Sequence, residues 1–255
     1  YIEQFPNGAY ILKINYYGMM SLEKSGRGDE TRPYLEHIIS LPDNDYTDNA
    51  LLKLAGMDKA AGNYTEAKGH YERLLNITEN QKLKIQAVEG VMECSYKLED
   101  YDTAIAKGNE LAAMPDIEQH KKNFVNYVVG MSLYNKKDYT SALPKLRECS
   151  KTDRGEAGAE AAYHAVLANY KLGNLDEAEE CVFYISDNFS AYSYYVAMSF
   201  VTLSDVYVAK GNVFQAKATL RSIIDNYPGG EPKDIAQQKL AAMEKDELNN
   251  EEDAE

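Results

Sequence analysis

The chain has no tryptophan and three cysteines, and its basic residues are outnumbered, with 27 Lys and Arg against 41 Asp and Glu. Each shortage removes a class of function. Cys94, Cys149 and Cys181 lie far apart with no CxxC pair, and an odd number in no pattern is not a disulfide framework. They read as small buried thiols on helices. A net charge of −14 argues against wrapping nucleic acid, which needs a basic face, and an anionic membrane surface would repel it. No apolar run approaches the roughly 18 residues of a membrane span. The four histidines, His37, His70, His120 and His164, are too scattered to converge on a metal. There is no GxxxxGK(S/T) loop and no HExxH pair. The carboxylate pairs Asp29-Glu30 and Glu179-Glu180 are adjacent in sequence, so on a helix they face different ways. No catalytic residue, metal site or cofactor is indicated, and enzyme activity is not expected.

What is present is a returning phrase. It reads Gly62-Asn63-Tyr64-Thr65-Glu66-Ala67, then Asp100-Tyr101-Asp102-Thr103-Ala104, then Lys137-Asp138-Tyr139-Thr140-Ser141-Ala142. It returns as Gly173-Asn174-Leu175-Asp176-Glu177-Ala178 and Gly211-Asn212-Val213-Phe214-Gln215-Ala216. The alanines are 37, 38, 36 and 38 residues apart. A period in that range means stacked helical hairpins, a solenoid that grows by units.

Each unit reads as two antiparallel helices, A and B. In the last full unit, helix A spans 194–210 with Phe200, Leu203 and Tyr207 on one face. Gly211 stands where a helix end takes a left-handed residue, and Asn212 can cap the next start. Helix B runs from about Val213 to Asn226 with Ala216, Leu220 and Ile223 inward, and Pro228 stops it. Alanine recurs at Ala67, Ala104, Ala142, Ala178 and Ala216 because two closely crossing helices leave room for a methyl only. Gly173 repeats the role of Gly211.

This pattern resembles the tetratricopeptide repeat family over roughly residues 1–230. Phe200, Leu203, Ser204, Tyr207, Ala216, Leu220, Ile223 and Pro228 fill that family's places in the last unit. Leu51, Leu54, Ala55, Ala67, Tyr71 and Leu74 do so in the second, and Val129, Gly130, Leu133, Ala142 and Leu146 in the fourth. The first unit matches at Tyr17, Gly18, Tyr34 and Pro42, with Glu30 at the alanine place. The resemblance implies an all-α, right-handed solenoid of antiparallel helix pairs: about six repeats near 7–42, 43–80, 81–118, 119–153, 154–190 and 191–230. A capping helix is expected over 231–245, with Ile235, Leu240 and Met243 apolar, and an acidic disordered tail over 246–255. The Phe5-Pro6-Asn7-Gly8-Ala9-Tyr10 junction and Tyr227-Pro228 resemble bacterial cell-envelope repeat proteins of the BamD-like and YbgF-like kind, which would imply a periplasmic or outer-membrane-associated place. Tyr1 to Pro6 also resembles Ile223 to Pro228, the end of a repeat, so the chain is expected to start inside a longer array.

Such proteins are non-catalytic scaffolds for other proteins or peptides, with the A helices lining the concave side. Positions there that avoid the buried stripe are Glu89, Glu93 and Tyr96, then Tyr127, Met131 and Tyr134, then Tyr163, Leu167 and Tyr170. Among the 21 tyrosines these form a stripe, and tyrosine gives contact area and a hydroxyl with only two torsions to freeze. The same residues would equally serve as fillers between long helices. The acids disfavour a carboxylate ligand, so an apolar or basic protein or peptide is expected, with no nucleic acid and no membrane insertion. A structural subunit of an envelope assembly, or the helical arm of a larger enzyme or regulator, are the alternatives. Asp43-Asn44-Asp45-Tyr46-Thr47-Asp48 resembles the start of a calcium loop, but it lacks the sixth-position glycine and reads as a turn and helix cap.

Overall fold

The computed structural model describes residues 4–5, 8–115 and 117–252, the last five as backbone only. Pro6 and Asn7 of the junction, and the tail residues 253–255, lie outside the described residues. Among the described residues there are thirteen α-helices and no strand. The chain divides into two compact units, one ending at Ile117 and one starting at Glu118.

The first unit holds α1 (Ile11–Lys24), α2 (Arg32–Ser40), α3 (Thr47–Ala60), α4 (Tyr64–Ile77), α5 (Gln81–Lys97) and α6 (Tyr101–Ala113), with a 3₁₀ turn at Gly28–Thr31. The second holds α7 (Gln119–Asn135), α8 (Tyr139–Thr152), α9 (Glu156–Leu172), α10 (Leu175–Asn188), α11 (Ser193–Ala209), α12 (Val213–Asn226) and α13 (Glu231–Glu252). Odd-numbered helices to α11 are A helices and even-numbered ones are B helices. The longer A helices, α5, α7, α9 and α11, each have 17 residues, which lengthens the repeat.

The turn inside each hairpin follows from the returning phrase. Gly62, Gly173 and Gly211 take left-handed φ of 80°, 77° and 77°. The next N–H then folds back on the preceding helix: Asn63 N to Asp58 O at 2.8 Å, Asn174 N to Asn169 O at 3.0 Å, Asn212 N to Tyr207 O at 2.8 Å. This is the Schellman closure, which satisfies helix-end carbonyls. Glu99 and Lys137 make the same turn at φ 60° and 64° without being glycine. Asp100, Asp138 and Asn212 then accept the N–H of Thr103, Ser141 and Gln215 and start the B helices.

The five repeated alanines are fully buried. Ala178 packs with Val166, Val182, Leu203 and Val206, on two A helices and its own B helix. Each buried Leu or Ile in such a cluster contributes on the order of 2 kcal/mol. The first hairpin departs from the rest. Glu30 does not sit at a buried alanine place; it is exposed in the 3₁₀ turn, held by Arg27 through bonds of 2.6 and 2.5 Å. Leu35 and Ile38 face inward from α2 instead.

At the other end, Ile235, Ala236, Leu240 and Met243 of α13 cover Val201, Leu220 and Ile223. The helix continues past Lys245 to Glu252, where a disordered tail was expected from Asp246. No Pro or Gly interrupts it, and Arg221 and Lys217 of α12 pair with Glu244 and Glu247. The acidic turn Asp43–Asp48 is closed by its own side chains: Asn44 Oδ1 accepts Tyr46 N at 3.0 Å and Thr47 Oγ1 accepts Asn44 N at 2.9 Å.

Candidate functional site

In the second unit the backbones of α7 and α9 touch, as do those of α9 and α11, whereas α8, α10 and α12 do not approach one another within 8 Å between Cα atoms. The A helices therefore form the closely packed side of this unit. Six of the candidate residues lie there, on α7 and α9. The other three, Glu89, Glu93 and Tyr96, lie on α5 of the first unit.

The tyrosines are half-buried, and their rings and hydroxyls engage the next A helix. Tyr127 Oη donates to Glu160 Oε2 at 2.7 Å, from α7 to α9. The Tyr134 ring meets His164 edge-on at 4.7 Å between centroids, and Tyr139 at 5.3 Å. Tyr163 lies 5.5 Å from His164 and 6.2 Å from Tyr195 of α11. Burial and the neighbouring phenols of Tyr194 and Tyr134 push the Tyr163 hydroxyl up to about 12, and burial raises Tyr134 as well. Tyr170 and Leu167 are half-buried, with the Lys171 ammonium 5.8 Å from the Tyr170 ring centre. Met131 is a correction: it is only 4 % exposed, enclosed within the helix packing, and it offers a ligand no surface.

In the first unit Glu93 accepts Lys59 Nζ at 2.7 Å, from α3 to α5. Tyr96 and Glu89 are half-buried, and Lys97 Nζ stands 5.9 Å over the Tyr96 ring. Lys59 of α3 therefore neutralises one of the acids expected on this face.

The sequence did not single out His164, which the structure places between Tyr134 and Tyr163. Its Nδ1 lies 2.9 Å from the Glu160 carbonyl, and burial holds its pKa below the ordinary imidazole value. Glu179, read in the sequence only as half of an adjacent carboxylate pair, accepts from Tyr207 at 2.8 Å and Lys210 at 2.6 Å and is held below the usual carboxylate range chiefly by Lys210. Both partners are about 30 residues away in sequence, so no local pattern marks them. The cysteines are structural: burial pushes Cys94 to about 11 and Cys149 to about 12, so their thiolates are scarce at neutral pH. Among the described residues no helix is long and apolar enough to cross a membrane, and no three His, Cys, Asp or Glu side chains are grouped to hold a metal.

Each unit is built of stacked antiparallel helix pairs, a helical-repeat architecture. The tetratricopeptide repeat family profile matches residues 49–77 and 193–230, the hairpins built by α3–α4 and by α11–α12. No curated protein sequence matches the chain. Among solved structures it is similar to YrrB, described as a tetratricopeptide repeat protein with an unusual peptide-binding site: TM-score 0.62, 18 % identity, covering 80 % of this chain and 96 % of that one. It is also similar to a tetratricopeptide repeat protein from Parabacteroides merdae, at TM-score 0.59 and 16 % identity over 92 % and 87 % of the two chains. MamA gives TM-score 0.60 and 13 % identity over 74 % and 99 %.

Proposed function

We propose that this chain is a non-catalytic interaction scaffold that binds an extended peptide or a partner helix along its A-helix side. In the second unit the contact residues are Tyr127, Tyr134, Tyr163, Leu167 and Tyr170; in the first they are Glu89, Glu93 and Tyr96. One observation carries the reading. The aromatic side chains on α7 and α9 are held by neighbouring helices while one edge stays in solvent. Rings fixed before binding lose little freedom on binding, and half-buried Tyr is a common interface anchor. YrrB, built on the same fold, is described as having a peptide-binding site. The carboxylates of Glu89, Glu93 and Glu160 on this side favour an apolar or basic segment over an acidic one. A place at the bacterial cell envelope belongs to this proposal only through the aromatic-Pro junction at Phe5–Tyr10.

The test is selection of a random peptide library on the immobilised chain, followed by titration of the recovered peptides against Tyr170→Ala and Leu167→Ala. Loss of about tenfold in affinity, which is about 1.4 kcal/mol, is expected with the fold unchanged by circular dichroism. Equal affinity for wild type and both variants, or a library yielding no binder, would overturn the reading.

A further inference from the structure

The two sides of a repeat are tied differently. On the B side, the ends of α2 and α8 are each fastened by a side chain from the next B helix. Arg73 of α4 donates to the carbonyl of Ile39 in α2 at 2.8 Å, and Tyr184 of α10 donates to the carbonyl of Ser150 in α8 at 3.1 Å. Each strut spans 34 residues, and each strut residue lies nine residues past the first of its helix, Tyr64 or Leu175. Four residues beyond each accepting carbonyl stands a group matched to the strut. Asp43 Oδ1 pairs with the Arg73 guanidinium at 2.9 Å, and Arg154 Nη1 donates to Tyr184 Oη at 3.4 Å.

The same place in α12 is Ser222, nine residues past Val213. Its side chain is too short to cross, and its oxygens take the Asn226 amide of its own helix instead. The repeat is longer here, so the carbonyl in the register of Ser150, eleven residues past the first of its helix, is that of Ser186 in the last turn of α10, 36 residues before Ser222, and four residues on stands Ser190. At this place there is a groove of about 500 Å³ between α10 and α12, floored by α11 and lined by Ser186, Ser190, Val196, Phe200, Ser222 and Ile223 among others; a groove of about 630 Å³ also lies beside the Tyr184 strut, but Arg147, Lys151, Glu177, Glu180 and Asp187 charge its lining. None of its lining residues carries a charge. In α6 the corresponding residue is Glu110, an acceptor paired with Lys107 on its own helix, so that repeat offers no comparable seat.

We propose that the α10–α12 groove is a second binding site, for a peptide that inserts a tyrosine side chain where the strut is absent. The ring would lie against Val196, Phe200 and Ile223. The phenol would donate to the Ser186 carbonyl and accept from the Ser190 hydroxyl, as Tyr184 does with Ser150 and Arg154. Charge selects the occupant. The arginine strut is matched by Asp43 and the tyrosine strut by Arg154, whereas Ser190 is neutral, as is the rest of the lining. An uncharged hydroxyl-bearing aromatic fits that site, and a guanidinium would be buried without a counter-ion. A volume of this size is in the range of small-ligand pockets. The site lies on the B-helix side and is independent of the A-helix residues named above.

The experiment follows methyl resonances of Val196, Ala197 and Ile223 while acetyl-Gly-Gly-Tyr-Gly-Gly-amide is added to the full chain. Saturable shifts at those methyls are expected, with the Phe analogue at least about threefold weaker, since a buried acceptor is then left unpaired. Ser222→Tyr supplies the strut from within, so it is expected to raise the melting temperature and abolish the shifts, while Ser222→Ala keeps them. Leu167→Ala and Tyr170→Ala leave them unchanged. Absence of saturable shifts, equal affinity for the Tyr and Phe peptides, or undiminished binding to a folded Ser222→Tyr would each overturn the proposal. The comparison of Tyr with Phe is made on wild-type protein and stands whether or not the variant folds.

Discussion

The ring of Tyr71 in α4 fills the space in front of Gly90 in α5, so that a β-carbon on Gly90 would stand 2.5 Å from the Tyr71 Cδ2. Real β-carbons do not approach ring atoms that closely, so one of the two helices has to move. Tyr71 is 5 % exposed and packs with Leu51, Ala67, Ala87 and Val91, which leaves the ring little room to withdraw. Gly90→Ala is therefore expected to destabilise the first unit by about 1–3 kcal/mol, despite alanine's better helix propensity. Urea unfolding measures it, and a midpoint at or above wild type would contradict the packing described.

Lys137 turns the α7–α8 hairpin with φ at 64°, in the place that Gly62, Gly173 and Gly211 hold elsewhere. A left-handed non-glycine residue costs about 1–2 kcal/mol, partly offset by the greater freedom of glycine when unfolded. Lys137→Gly is expected to stabilise the second unit by roughly 0.5–1 kcal/mol, read as a rise in urea midpoint. A fall would show that the turn is not strained.

Stability should decline on mild acidification because of two histidines. Burial lowers the pKa of His164, and burial with Arg32 and Arg73 lowers that of His70, whose ring faces Asp58 at 3.4 Å and also feels Glu36. The unfolded chain then takes up protons near pH 6.5 that the folded chain does not. Their contribution is complete above about pH 6.5 and is lost as pH falls through the lowered folded values. The paired carboxylates Asp100, Asp138 and Glu179 have lowered folded values, so their contribution fades only as pH falls below about 4.5. The urea midpoint is expected to be lower at pH 5.5 than at 7.5, and the difference to shrink in the His70→Gln, His164→Gln double variant. A flat midpoint over that range would contradict the assignment.

Ala178→Arg places a charged chain at a fully buried methyl among Val166, Val182, Leu203 and Val206. Overpacking costs about 1–3 kcal/mol, and an unpaired buried charge costs more. Loss of helical signal from the neighbouring repeats is expected by circular dichroism. An unchanged melting temperature would show that the alanines are not close-contact positions.

The hairpins were legible in the sequence because their determinants are local. A left-handed glycine, an Asn or Asp cap and an alanine four residues after the cap all fall within one six-residue phrase. Glu99 and Lys137 show the limit: their left-handed turns are set by the helices on either side, and nothing in the residue type announces them. The candidate face was legible as a stripe of positions and not as contacts. Whether Tyr127 points to solvent or to Glu160 depends on a residue 33 positions away. Met131 shares its period with Leu167 yet is buried, because local packing sets depth where spacing sets only direction. The α10–α12 groove was invisible for a related reason. Its neutral lining and the short Ser222 at the strut place have meaning only once the carbonyl opposite is known.

The central claim is that the A-helix side binds peptide, and the most direct test is methyl resonance mapping with a library-selected peptide. The account predicts perturbation of Leu167 together with broadening of the Tyr134, Tyr163 and Tyr170 ring signals, with Ile223 and Val182 unaffected. Perturbation confined to Val196, Ala197 and Ile223, or spread without preference over both sides of the repeats, would contradict it.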